Sequence, residues 1–127
     1  MHDYTRLRVW QRAQTLAVEI SRDTEGLDER VYPGLATDIR RAVTGIATHV
    51  AEGSREPTPA LFANALMQSI AFATAVQKLL LTAHSLGIID HSRHVMLDLE
   101  TQEIRRMLYA LRARIFERIN ASKVKGR

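Results

Sequence analysis

Residues 35–53 read LATDIRRAVTGIATHVAEG, and this stretch decides the fold. Leu35, Ile39, Ala42, Val43, Ile46 and Val50 recur at three- and four-residue steps, so they line one side of a helix. Thr44, Ala47, Thr48 and Ala51 fill a neighbouring side with small residues that let another backbone come close. Arg40 and Arg41 point away from the first face, and Gly53 is expected to end the helix in a left-handed conformation. A helix packed on more than one side belongs inside a bundle or an assembly rather than at the surface of a monomer.

Working outward, glycine and proline divide the chain into four helical segments. The first is expected over about Thr5 to Thr24, with Leu7, Trp10, Ala13, Leu16, Ala17 and Ile20 facing inward. A charged connection holding Pro33 follows, and then the helix quoted above. Thr58-Pro59, a capping hydroxyl before a proline at the first helical position, opens a third helix that runs to Leu86. Its stripe is Phe62, Leu66, Ile70, Ala73, Val76 and Leu80. Asp90 caps a fourth helix, in which Leu97, Ile104, Leu108, Leu111, Ile115 and Ile119 keep the helical period. Nothing alternates with period two. The fold expected is therefore all-α: an antiparallel up-down four-helix bundle over residues 1–122, with a basic tail at 123–127.

At 127 residues the chain makes one domain, with 46% apolar and 25% charged residues. It contains no cysteine, which removes disulfides and thiolate metal sites and fits a reducing compartment. The first ten residues, MHDYTRLRVW, lack the apolar core of an export signal. No apolar run near the ~20 residues of a bilayer span is expected, and the chain reads as cytoplasmic.

Apolar residues outnumber what one bundle needs. Leu61, Ala65, Phe72, Ala75, Leu79 and Leu81 fall outside the main stripe of the third helix, and the second helix adds its small-residue face. These positions, with Arg41, Thr44, Ala47, Thr48, Ala51 and Phe72 foremost, are expected at a subunit interface. Arg41 is read as organising that interface through arginine–carboxylate forks, whereas Arg40 is open between such a role and a phosphate contact.

Charge is the second clue. The formal net is +4, and residues 93–127 hold nine Lys or Arg against four Asp or Glu, so the excess lies wholly on the fourth helix and its tail. Arg105, Arg106, Arg112, Arg114 and Arg118, joined by Arg40, are the candidate contacts to an RNA or DNA backbone. Binding of this kind is salt-sensitive and weakly selective for sequence. Tyr109 and Phe116 are the only Phe, Tyr or Trp residues on the fourth helix, so base stacking there has little support. The competing reading is an oligomeric protein–protein adaptor whose charge serves solubility.

No catalytic constellation stands out. His91 and His94 lie three apart and share a helix face, but the Glu-x-x-His pattern of di-iron bundles is absent, and no metal or other cofactor is expected. Phosphate-loop and serine-elbow motifs are also missing, so the chain is expected not to be an enzyme.

Ile39-Arg40-Arg41-Ala42, Ile46 and Val50-Ala51-Glu52-Gly53 resemble the signature of a bacterial four-helix bundle family. Its members are encoded by intervening sequences in large-subunit ribosomal RNA genes, and the accessory variability determinant proteins of diversity-generating retroelements belong to the same group. Tyr4, Leu7, Val9, Trp10 and Ala13, then Gly34-Leu35 and Leu86-Gly87-Ile88-Ile89, extend the resemblance over about residues 4–119. It implies a ring-like homo-oligomer, a pentamer around a central axis, and a role alongside a reverse transcriptase and RNA. A ring joins two different faces of each subunit head to tail. Phe72 is bulkier than the residue the family pattern carries there.

Overall fold

The computed structural model describes residues 3–125, which form a short 3-10 turn, Tyr4–Arg6, and four helices with no strand among them. The helices are α1 (Arg8–Asp23), α2 (Leu35–Ser54), α3 (Pro59–Ser85) and α4 (His91–Lys125). Each packs beside the next in sequence, and α4 closes the square against α1. The short connections make neighbours antiparallel. Of the basic tail expected at 123–127, residues 123–125 continue α4 as helix, and the rest lies outside the described residues.

The helix starts follow from their caps. The Thr58 hydroxyl accepts from the Leu61 amide at 3.2 Å, and the Asp90 carboxylate accepts from the Arg93 amide at 2.7 Å. Gly34 before α2 and Gly87 after α3 take the left-handed conformation, at φ 77° and 76°. Gly53 does not: α2 continues through it to Ser54. It is buried, and a Cβ there would lie 2.7 Å from the Ala65 Cβ of α3. This glycine serves a close approach, not a helix stop.

The α2–α3 seam is built on such approaches. A Cβ on Gly45 would fall 2.7 Å from the Phe72 ring, so the missing side chain makes room for the bulky one. Phe72 also stacks on His49, with centroids 5.2 Å apart and planes 17° from parallel. Buried Ser69 donates to the Ile46 carbonyl at 2.8 Å. Ala65, Phe72, Ala75 and Leu79 are thereby part-covered within the one chain, while Leu61 and Leu81 remain exposed. Ala47 is likewise in the core and Ala51 half-buried, whereas Thr44 and Thr48 stay on the surface and donate to backbone carbonyls one turn earlier.

The expected stripes of α3 and α4 line the core, with Leu111 and Ile119 at its edge. On α1 the inner face turns differently. Val9, Ala13, Leu16, Ala17 and Ile20 are buried, whereas Leu7 and Trp10 are half-exposed. The helix begins only at Arg8, after the 3-10 turn, and the step 9-13-16-20 leaves Trp10 on a flank.

By length and composition alone α3 could cross a membrane, contrary to the expectation that no segment could. Its stripe is instead covered by the bundle, with Ala63, Leu66, Ala73 and Val76 almost fully enclosed.

Candidate nucleic-acid interface

The arginines of α4 divide between two flanks, because residues one apart on a helix face about 100° apart. Arg105 turns to α3. Its guanidinium donates to the Gln77 side-chain oxygen and lies 3.4 Å from the Thr74 hydroxyl. Gln77 in turn donates to Asp98 at 3.0 Å. Arg112 lies over the Phe116 ring, with Cζ 4.7 Å from the centroid, and its buried Nε finds no acceptor among the described residues. These two candidates are engaged along α4 or against α3.

Arg106 faces the other way, toward α1. It grips Glu103 with two hydrogen bonds, of 2.9 and 2.5 Å, and remains mostly exposed. Those bonds hold the Glu103 carboxyl below the usual carboxylate range and raise the Arg106 guanidinium above its own. Arg12 of α1 pairs with Glu100 and reaches Glu103 at 3.9 Å, tying the seam part-way along. Toward the start of α1 the seam opens into a groove of about 430 Å³. Leu7, Val9, Met107, Ala110 and Leu111 line it, and Arg8, Arg106 and Arg114 supply its charge.

The antiparallel topology gathers more cations at this end. Arg118 borders a small cleft with Glu56, Thr58 and Ile115, which brings the end of α4 beside the α2–α3 connection. Arg55, just after α2, lies over the Tyr4 ring at 5.5 Å. Arg8, Arg55, Arg114, Arg118 and Lys123 have no carboxylate partner among the described residues. At the opposite end the connections carry Glu25, Asp28, Glu29 and Asp90, and Arg93 is tied to Asp23 at 2.6 Å, which raises its guanidinium further. Three histidine rings also meet there: His84 stacks on His94 at 4.7 Å and contacts His91 at 5.7 Å. No group of His, Asp or Glu among the described residues is arranged to hold a metal ion.

Arg40 sits elsewhere, on the α1–α2 flank beside Arg22, Glu25 and Thr44. Arg41 is exposed and reaches Asp38 only at 4.0 Å. The structure thus brings Arg106, Arg114 and Arg118 to one end and leaves Arg40, Arg105 and Arg112 apart from them. Arg8 and Arg55 join that end, and sequence reasoning passed over both. They lie far from the basic stretch in the chain, and only the antiparallel pairing of helix ends would have found them.

Among curated proteins, none matches this sequence. A solved structure of a protein of unknown function from the S23 ribosomal protein family of Bacteroides thetaiotaomicron is similar in fold, with a TM-score of 0.73. The two are 19% identical, over 81% of this chain and 96% of that one. The sequence profile of the 23S rRNA-intervening sequence proteins matches residues 5–110. The chain belongs to that family.

Proposed function

We propose that this protein is a non-enzymatic, homo-oligomeric accessory protein of the cytoplasm that binds the phosphate backbone of RNA or DNA. The observation that carries the reading is the groove between α1 and α4, where Arg8, Arg106 and Arg114 surround an apolar floor, with Arg55 and Arg118 in two further clefts at the same end of the bundle. Arg8 and Arg114, with no carboxylate partner among the described residues, are free to pair with phosphates, whereas Arg106 would have to share its fork with Glu103. Fixed to helix ends in one chain, they contact a backbone and carry no sequence information themselves.

Assembly into a ring, of five copies as the resemblance implies, would repeat this basic end around the axis and multiply weak contacts. Exposed Met96 and Leu99 on the outer side of α4, with Thr44 and Thr48 on α2, are the surfaces available for it. A reverse transcriptase is the protein partner suggested by the retroelement members of the group. The adaptor reading draws on the same exposed Val95, Met96 and Leu99, which offer an apolar face to a protein.

Fluorescence anisotropy of a labelled RNA at two salt concentrations tests the reading. Dissociation constants of about 1–100 μM, weakening steeply with salt, are expected. Absence of binding to any RNA or DNA at low salt sinks the nucleic-acid role and favours the adaptor. Light scattering tests the assembly, and a monomer at working concentration removes the ring.

A further inference from the structure

We propose that the cleft between the start of α1 and the end of α2 is a binding site for one unstacked nucleobase of a single-stranded nucleic acid. The inference rests on the backbone-binding reading and adds to it a second, separate site. Tyr4 and Trp10 line the cleft side by side in edge-to-face contact, with centroids 5.1 Å apart and planes inclined at 64°, so a base would stack on an outer ring face. Both rings are half-exposed, with Trp10 packed by one side against the core. Val9, not Trp10, has the buried position on α1. The small side chains of Ala47 and Ala51 leave depth between the helices, and the cleft measures about 260 Å³. That is below the ~300 Å³ at which pockets for drug-sized ligands begin, a scale suited to a single planar ring system.

The polar lining fits a base. Gln14, Thr48 and Glu52 border the cleft, and the Gln14 amide has no hydrogen-bond partner among the described residues. An amide and a carboxylate together can meet the acceptors and N–H donors on a base edge. Arg55 extends over the Tyr4 ring from the rim, where a guanidinium can reach the phosphate attached to the base. The cleft and the α1–α4 groove flank the same first turn of α1, since Leu7, Arg8 and Val9 line one and Tyr4 and Trp10 the other. A strand held by Arg8 therefore runs within reach of both. A paired base has its edge occupied and its faces covered, so the site selects single strands or ends.

Trp10 is the one tryptophan in the chain and reports directly on the cleft. Its fluorescence is followed while the full-length protein is titrated with three probes of about 12 nucleotides, within the usual span of single-strand sites. These are a single-stranded RNA, the matching duplex, and a single strand carrying abasic sugars, with anisotropy read in parallel. The single strand is expected to quench Trp10 to saturation, and the duplex and abasic strand are expected to bind without quenching. Tyr4→Ala is expected to weaken single-strand binding about tenfold more than it weakens duplex binding, with circular dichroism confirming the fold. Single-strand binding without quenching, or with unchanged affinity in Tyr4→Ala, overturns the base site and leaves the backbone reading standing. No binding of any probe at low salt removes both.

Discussion

The α2–α3 and α1–α4 seams of the bundle are built on opposite plans. Between α2 and α3, Gly45 and Gly53 bring backbones together, Phe72 fills the space one glycine vacates, and Ser69 hydrogen-bonds across the gap. Between α1 and α4, long side chains do the joining: Arg12 with Glu100 and Glu103 in the middle, and Arg93 with Asp23 at the far end. That seam is the most sparsely packed of the four, and it opens into the arginine-lined groove. Close packing leaves no surface for a ligand. Ion-paired packing leaves part-exposed charge at the rim, where a surface pair contributes little to stability. One seam is closed by packing, and the other carries the proposed binding surface.

The largest expected effect tests the open seam. Changing Arg8, Arg106 and Arg114 together to Glu should weaken RNA binding roughly a hundredfold at moderate salt and lower the salt slope by about 2 to 3. An anisotropy series across salt concentrations checks this, and an unchanged slope would remove the groove from the interface. The closed seam should respond in stability instead. Gly53→Ala meets the short Ala65 side chain, which cannot swing aside, so a loss of about 1–3 kcal/mol is expected in urea unfolding. Gly45→Ala should cost a similar amount, because the added methyl meets Phe72 at its Cγ and both Cδ atoms and shifting that ring disturbs its stack on His49. Equal stability of Gly53→Ala and wild type would show that the seam tolerates wider spacing.

Ser69→Ala removes one buried hydrogen bond to the Ile46 carbonyl and should cost about 1 kcal/mol by the same measurement. The smallest effect is on pH. Arg106 holds the Glu103 carboxyl below its ordinary value near 4.5, so the pair's contribution is present above that pH. It is lost as pH falls through the lower folded value. Thermal melts should show this as a slight extra acid sensitivity that Glu103→Gln abolishes, with no matching change in Ser69→Ala.

Element boundaries were legible because caps announce them: Thr58-Pro59, Asp90 and Gly87 do what their chemistry suggests. The inward stripes of α3 and α4 were legible for the same reason as any long period. The destinations of the arginines were not. Arg105 and Arg106 are adjacent in the chain, yet one binds Gln77 of α3 and the other faces α1. That choice depends on how each helix is rotated in the bundle, which periodicity on one helix cannot fix. Gly53 misled because a glycine near a helix end signals a stop and a close contact equally well. Trp10 misled by one residue, since a 3-10 turn rather than α-helix precedes Arg8. The charge excess near the end of the chain was readable, but its completion by Arg8 and Arg55 required the fold.

One feature of α4 bears on reach. At 35 residues it is about 52 Å long against about 40 Å for α3, and its packing on the core ends at Ile119. Residues 120–124 are exposed on every side, so their helical hydrogen bonds are expected to be the first to open. Amide exchange there should be complete while the amides of Ile104 and Leu108 remain protected. A helical residue advances 1.5 Å and an extended one about 3.3 Å. Unwinding of the tip that holds Lys123 would roughly double its length, and recoiling would shorten it again.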